Sequence, residues 1–231
     1  ESIKKIAPWD DNWTNLVFVN GFYNRKLSSP LNKTPYILPL SDLIETNHEE
    51  VGIPRSIGRY VDYSDDGFAA LNTAFLKDAM VINIPESLHV ESPINVVFYN
   101  SGIASTVNHP RFFLIANKDS RVSVIESYVG EGQHPTLTNA VSEIACLEGS
   151  EIDHYRVLGE SEHAFNIGYE RVMLSEKSSF RSTSFCKSIK IGRYDLNVCI
   201  NGANASCELN GLYSTSGTSH MDNYINIDHA E

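Results

Sequence analysis

Short runs of alternating apolar and polar residues recur along the chain from about residue 79 onward. Four of them begin with a small residue that is followed by a polar, an apolar and a second polar residue, and they occupy positions 120–124, 150–154, 178–182 and 205–209. Their starts recur at intervals of roughly 27–30 positions. A second series of strand-like runs repeats at intervals of roughly 26–28 positions, and its markers are Cys146, Leu174, Ile200 and Ile227. Turn residues separate the two series.

A period of about 27 residues, with two strands and a tight corner in each repeat, predicts a parallel β-solenoid. Stacked coils align equivalent positions, so we expect two interior columns and parallel pairing near residues 122, 152, 180 and 207. The first column is Val122, Ile152, Phe180 and Cys207, and the second is Val124, His154, Ser182 and Leu209. His154 and Ser182 are polar and therefore need hydrogen-bond partners inside the coil. The alternative is an antiparallel sandwich of short strands.

The pattern of residues 1–78 is mixed, and this range is expected to form an N-terminal segment ahead of a core at 79–231. Asn20 and Gly21 lie between two short β-rich runs, which is a strong hairpin signal. Residues 24–60 are rich in Pro, Asn and Ser and are expected to be loop. The apolar spacing at Phe68, Leu71, Phe75 and Leu76 predicts a helix whose N-cap is Ser64, Asp65 or Asp66. A calcium site among the nearby aspartates fits the spacing less well.

The balance of charge excludes two classes of partner. The 231 residues include 29 acidic and 18 basic side chains, for a net charge of −11. Proteins that bind nucleic acid or an anionic membrane surface need clustered Lys and Arg, so neither partner is expected. No apolar stretch approaches the roughly 18 residues that a membrane span requires.

Signatures of catalysis and of metal binding are missing from the sequence. It contains no phosphate loop, no G-x-S-x-G, no H-E-x-x-H and no G-x-G-x-x-G that opens a helix. The cysteines, Cys146, Cys186, Cys199 and Cys207, form no C-x-x-C pair, and we expect free thiols. Strand phase predicts that Cys199 and Cys207 do not converge. We therefore expect no catalytic residue, no metal site and no bound iron or zinc, and the sequence identifies no cofactor-binding residue.

A β-solenoid enzyme that acts on polysaccharides is the enzymatic alternative. Such an enzyme would be secreted and would need several carboxylates and a basic residue on one outer face. Asp153 and Arg181 are expected in like phase on neighbouring coils, with Arg156 beyond the next corner. These three residues are too few to define a catalytic site.

An ordered set of short motifs along nearly the whole chain resembles the SufB/SufD family, the scaffold subunits of the SUF iron–sulfur cluster assembly system. The opening F-V-N-G, at 18–21 with Leu27 and Ser28 after it, is most similar to the SufD branch. The other matching segments are the "ALN-A" helix at 68–75, "PI" at 93–96, "HPR" at 109–111, "R-DL" at 193–196, "GLY" at 211–213 and "D…H" at 222–229.

The resemblance implies a right-handed parallel β-helix and a non-catalytic scaffold that works with SufB-like and SufC-like subunits, the latter an ATPase. It implies a cytoplasmic protein, or a stromal one in a plant or alga, and an iron–sulfur cluster held by the complex rather than by this chain alone. The family's functional C-S-H-G-A-T segment and its SufC-binding helices lie beyond the "D…H" motif. They have no counterpart in these 231 residues, so no functional residue is transferred.

The last coil of such a solenoid is expected to expose a strand edge. Tyr224, Ile225 and Ile227 flank that edge, and no Lys lies nearby to discourage pairing. We therefore expect that the chain can form a homodimer through its terminal coil.

Overall fold

The computed structural model describes residues 2–31, 35–45, 60–64 and 66–230, and it consists mainly of two β-sheets in a parallel solenoid of about five turns. The first sheet contains β1 (Thr14–Val19), β2 (Phe22–Tyr23), β5 (Ile94–Asn100), β8 (Arg121–Gly130), β10 (Glu151–Gly159), β12 (Ser179–Cys186) and β14 (Ser206–Tyr213). The second contains β3 (Tyr36–Pro39), β4 (Met80–Ile84), β7 (Arg111–Ala116), β9 (Thr136–Cys146), β11 (Ala164–Leu174), β13 (Ile191–Ile200) and β15 (His220–His229), and β6 (Thr106–Asn108) pairs with β9. From β7 to β15 the chain alternates between the sheets, one strand of each per coil.

A ladder of left-handed residues forms the corner where the chain passes from the second sheet to the first. The φ angles are +55° at Asp119, +67° at Gly149, +59° at Lys177 and +60° at Asn204. The backbone N–H of Gly149 donates to the carbonyl of Glu176 on the next coil at 2.9 Å, and its neighbours in the ladder make similar bonds between coils. Stacked tight corners of this kind keep the coils in register.

The expected register is confirmed in the first sheet. Val122 pairs with Ile152, Ile152 with Phe180, and Phe180 with Cys207, all in parallel. The second column, from Val124 through His154 and Ser182 to Leu209, is aligned in the same way.

In the second sheet, the predicted register was wrong by two residues at the last marker, Ile227. Ile200 pairs with His229, whereas Ile227 pairs with Val198. The turn between β14 and β15 is longer than the preceding equivalent turn, so the spacing of apolar residues misjudged the register there.

The N-terminal segment contributes directly to the solenoid. β1, which precedes the expected boundary at residue 79, pairs in parallel with β5. The predicted hairpin is confirmed, since β1 and β2 are antiparallel and Asn20 and Gly21 have φ of +49° and +87°.

The expectation of loop throughout residues 24–60 was wrong for 36–45, while 32–34 and 46–59 lie outside the described residues. There β3 pairs with the edge of β4, and a helix, α2 (Leu40–Glu45), follows it. Pairing with a distant strand decides the structure of this segment, and local composition carries no signal for it.

Two further helices pack on the outside of the sheets, α1 (Ile3–Ile6) and α3 (Gly67–Ala74). The predicted N-cap of α3 is Asp66, whose carboxylate accepts from the N–H of Ala69 at 2.7 Å. None of the described helices has the length and apolar character to span a bilayer.

The face that α3 buries differs from the one expected. Ala69 and Asn72 are fully buried, while Phe68 and Phe75 are 41% and 56% exposed. The small side chain of Ala69 packs with Val141, and the amide of Asn72 reaches backbone carbonyls of the core, so the helix turns its largest apolar residues outward.

Candidate functional site

Three ionisable side chains meet inside the solenoid between the two sheets. Glu126 comes from β8, His154 from β10 and Glu170 from β11. The Nε2 atom of His154 is 3.2 Å from Oε2 of Glu126, and its Nδ1 atom is 3.7 Å from Oε1 of Glu170. All three side chains are at most 1% exposed. Within the described part of the chain, this is the one group of three His, Cys, Asp or Glu side chains placed closely enough to hold a metal ion.

Hydroxyl groups fix the orientation of both carboxylates. The hydroxyls of Tyr128 and of Ser142 donate to Oε1 of Glu126, the latter at 2.7 Å. The hydroxyl of Tyr194 donates to Oε2 of Glu170 at 2.9 Å. The hydroxyl of Ser182 lies 3.2 Å from Nδ1 of His154, so both polar residues of the second column have the interior partners that the sequence required.

Arg156 supplies a fourth charge beside this group. Its guanidinium lies between the rings of Tyr128 and Tyr194, 5.0 and 4.2 Å from their centroids. The close packing depends on Gly168, because a Cβ atom there would be 2.6 Å from Nη2 of Arg156. The expectation that Arg156 lies beyond the corner was wrong: β10 continues past His154, and Arg156 points inward with it. We call Glu126, His154, Arg156 and Glu170 the interior ionic cluster.

Burial and neighbouring charges shift the acid–base equilibria of the cluster in opposite directions. Burial disfavours the ionised form of Glu126, but the hydrogen bond and charge of His154 outweigh it and lower the pKa of this carboxyl. Burial also opposes charge on His154, yet the charges of Glu170 and Glu126 raise the pKa of the ring. Burial raises the pKa of Glu170, against the attraction of His154. The imidazole thus lies between two carboxyl groups whose charges favour its protonated form.

A second set of buried polar groups extends from Arg156 towards the surface. Arg156 donates to Oδ1 of Asn166 at 3.1 Å, and Nδ2 of Asn166 donates to Glu160 at 2.8 Å. Glu160 also accepts from Asn100 and from Thr138, each at 2.6 Å. Burial raises the pKa of Glu160 in spite of these three donors.

A surface cavity of about 430 Å³ lies at the outer end of this network. Its walls are Asn20, Gly21, Leu71, Phe75, Lys77, Val107, Asn108, His109 and Leu137. His109 stacks on Phe75 with ring centroids 5.6 Å apart, and Asn108 bonds inward to Asn100. The F-V-N-G turn, the "ALN-A" helix and the "HPR" segment, which are far apart in sequence, therefore meet at one cavity.

The same motifs fasten α3 to the core. Nδ2 of Asn72 donates to the carbonyls of Pro110 and Asn139 at 2.9 and 2.8 Å. Arg111 donates to Oδ1 of Asn72 at 3.1 Å and forms a buried ion pair with Glu143. These motif residues have an evident structural role, which is to join the N-terminal segment to the solenoid.

The cysteines lie as free thiols in positions that agree with the predicted strand phases. Cys207 packs against the apolar core, whereas Cys199 is buried outside that cluster. Burial raises the pKa of Cys146, and it raises that of Cys207 to about 11. An iron–sulfur cluster is held by several thiolates, and among the described residues the cysteines join no group of three ligands. The cysteines of this chain therefore do not fit such a cluster.

On the outer face, Arg181 lies between Asp153 and Glu208 of the neighbouring coils. Asp153 and Arg181 are in like phase as expected, but they form an ion pair with each other at 2.6 Å. Arg156 lies on the opposite side of the strand, inside the coil. The ion pair holds Arg181 against a carboxylate, so it is not free to act as the base of such a site.

Sequence reasoning found His154 but missed Glu126, Arg156 and Glu170. A signal was present for two of them. Side chains two residues apart on a strand point to the same face. Glu126 and Arg156 lie two residues after Val124 and His154 of the second interior column, so the same alternation places them on the inner face. Glu170 belongs to the other sheet, and only the packing of the sheets brings it to His154.

Comparison with known proteins is consistent with this architecture. Residues 98–231 match the family described as the SufBD core domain of SUF system FeS cluster assembly, and residues 11–96 match the SufBD protein N-terminal region. An iron–sulfur cluster assembly SufBD family protein of Synechocystis sp. is 25% identical over 223 residues, which are 93% of this chain and 49% of that protein.

Two further relatives match at similar identity. Protein ABCI7, chloroplastic, of Arabidopsis thaliana is 23% identical over 94% of this chain and 47% of its own length. The iron–sulfur cluster assembly protein SufD of Escherichia coli is 22% identical over 85% of this chain and 44% of its own length. The chain thus spans about half the length of the curated relatives it matches.

Proposed function

The chain belongs to the SufBD family, and on this basis we propose that it is a non-catalytic scaffold component of iron–sulfur cluster assembly. The observation that carries the proposal is the match of the SufBD core domain to residues 98–231, the part of the chain that forms the regular coils. A parallel solenoid suits this role because each coil pairs with the next along its whole length, which makes a stiff support for other subunits.

The proposed partners are a SufB-like subunit and a SufC-like ATPase. The relatives from Synechocystis and Escherichia coli are named as iron–sulfur cluster assembly proteins. In our proposal the cluster is cargo of the whole complex, since the thiols of this chain do not fit it. The chloroplastic Arabidopsis relative and the bacterial relatives support a stromal or cytoplasmic location, according to the source of the chain.

The outer edge of β15, with which no described strand pairs, is the proposed contact for another chain. β15 pairs with β13 on one side, and its other edge carries Tyr224, Ile225 and Ile227, each more than 40% exposed. An exposed edge with apolar flanks favours pairing with a strand of a partner.

Co-purification tests the proposal. The intact protein, tagged and expressed in its own host at native levels, should bring down SufB-like and SufC-like subunits in constant ratio. An Ile225→Lys variant should lose or weaken the association, while Asn226→Lys, which places the same charge on the opposite face of β15, should weaken it less. Absence of both subunits from the purified parent protein would contradict the scaffold role.

A further inference from the structure

We propose that Glu126, His154 and Glu170 form a binding site for a single divalent transition-metal ion inside the solenoid. No metal was expected from the sequence, but that expectation rested on known motifs and on the spacing and strand phase of the cysteines. It did not consider the inward carboxylates of neighbouring coils. The inference stands on geometry and does not depend on the proposed role in cluster assembly.

The spacing of the three side chains is suited to one ion. One ligand atom from each residue can be chosen so that all three lie within 4.8 Å of one another. Oε2 of Glu126 is 3.2 Å from Nε2 of His154, whereas Oε1 of Glu170 is 3.7 Å from Nδ1, the other ring nitrogen. An imidazole binds one ion through one nitrogen, and metal–ligand bonds of about 2.0–2.2 Å place neighbouring ligands roughly 3.0–3.6 Å apart. The ring or one carboxylate would therefore have to rotate to complete the site.

A carboxylate oxygen that accepts no hydrogen bond within the described part of the chain points into this group. Oε1 of Glu170 is buried and accepts no hydrogen bond from the described residues, although Oε2 of the same carboxylate is bonded to Tyr194. A buried carboxylate oxygen without a donor is costly unless a cation faces it. The hydroxyls of Tyr128, Ser142 and Tyr194 hold the two carboxylates from behind, as groups surrounding metal ligands do in proteins.

The donor set indicates the class of ion. One imidazole and two carboxylates, without a thiolate, suit Zn²⁺, Fe²⁺, Mn²⁺ or Co²⁺ and do not suit Cu⁺ or an iron–sulfur cluster. An ion bound to a ring nitrogen of His154 would exclude a proton from that nitrogen. The rival occupant is that proton alone, held by the two carboxylates with Arg156 as the second positive charge.

Cobalt distinguishes the two occupants because its spectrum reports its ligands. The intact protein is stripped with a chelator and given Co²⁺ or Zn²⁺, both in the folded state and during refolding from urea, since the three side chains are fully buried. We expect about one ion per chain by elemental analysis. We also expect visible d–d absorption without the sulfur-to-cobalt charge-transfer band that thiolate ligands produce.

Variants separate this site from adventitious binding. Glu170→Gln, which keeps the shape of the side chain, should weaken Co²⁺ binding at least 10-fold. Glu160→Gln, a matched change of another buried interior carboxylate, and Cys207→Ser should both retain it. If Glu170→Gln does not fold, Tyr194→Phe removes only the supporting hydroxyl and should weaken binding by a smaller factor.

Three outcomes would overturn the proposal. The first is the absence of stoichiometric ion after both loading procedures, which would leave the proton as the occupant. The second is a charge-transfer band that disappears in Cys207→Ser. The third is equal binding by Glu170→Gln and the parent protein. None of them bears on co-purification with other subunits, so the two proposals fail separately.

Discussion

The interior of the early coils and the interior of the central coils share one backbone plan and differ in their side chains. Between β1, β4, β5 and β7 the inner residues are largely apolar, with Asn100 at the end of β5 as an exception, and they include Leu16, Phe18, Ile82, Val96 and Phe112. Between β8, β10, β11 and β13 the inner face holds the interior ionic cluster. Parallel pairing runs through both regions without interruption.

The comparison separates two contributions: apolar burial, which stabilises the solenoid, and the pairing of buried polar groups, which fixes the arrangement of its central side chains. Apolar side chains stabilise the early coils by about 25 cal/mol per Å² of buried area, whichever apolar neighbour they contact. In the central coils each buried polar group must find its own partner, and one left without a partner costs about 1–3 kcal/mol. We infer that the ionic cluster is a feature of function or specificity, since an apolar interior would serve stability as well.

The largest effect on stability is expected in the apolar region. Phe112→Ala removes a fully buried ring from β7, and the resulting cavity should lower the free energy of unfolding by about 3–5 kcal/mol. Urea denaturation monitored by circular dichroism measures it. Phe22→Ala, in the same part of the fold but on a ring that is 53% exposed, should cost less than about 1 kcal/mol. Similar losses of unfolding free energy in both variants would show that burial of apolar side chains does not dominate the stability of the early coils.

In the central region, stability is expected to depend on the space available around the guanidinium of Arg156. Gly168→Ala would bring a methyl group within 2.6 Å of the guanidinium and 3.4 Å of the Tyr194 ring, and it should cost roughly 1–3 kcal/mol. Gly67→Ala is the control, because a Cβ atom there meets nothing within 4 Å. Thermal denaturation of the two variants makes the comparison. A Gly168→Ala protein as stable as the parent would mean that the cluster is loosely packed.

Glu160 makes the stability of the central region depend on pH. Burial raises the pKa of Glu160 in the folded protein, where Asn100, Thr138 and Asn166 face it and Arg156 lies nearby. The folded state therefore binds the proton more tightly than the unfolded state does. This contribution to stability is present below the unfolded pKa, near 4.5, and it is lost as the pH rises through the raised folded pKa.

Glu160→Gln removes that contribution. Relative to the parent, the variant should gain stability as the pH is raised from acid to neutral, which denaturation midpoints at a series of pH values will show. Glu162→Gln, on a side chain that is 86% exposed, should follow the parent curve. A difference between Glu160→Gln and the parent that stays constant across this range would contradict the prediction.

The coil of β14 and β15 tests whether an edge that pairs with no described strand behaves differently from either interior region. We expect the purified chain to self-associate through this edge of β15, because Tyr224 and Ile225 offer apolar surface beside it. Sedimentation velocity should show a dimer or larger species, and Ile225→Lys should reduce it with little change in stability. Asn226→Lys is the matched control. A parent chain that stays monomeric at tens of micromolar would refute this expectation.

Local sequence was sufficient to predict the coil and most of its register. Alternation with a period of about 27 residues aligned Val122 with Ile152, Phe180 and Cys207, because a parallel ladder repeats the same inward phase at every coil. The Asn20–Gly21 hairpin and the Asp66 cap were also predictable, since both depend on the conformational preferences of a few adjacent residues.

The packing of the two sheets and of α3 determines which residues that are distant in sequence come into contact. Glu170 comes to His154 only because the sheets face each other across the interior, and no local pattern records that distance. The outward turn of Phe68 and Phe75 depends on Asn72 reaching the carbonyls of Pro110 and Asn139, contacts that span up to 67 residues. Local sequence determines which face of a strand each side chain points to and where the turns lie. The partners of buried polar groups depend on how the coils pack in three dimensions.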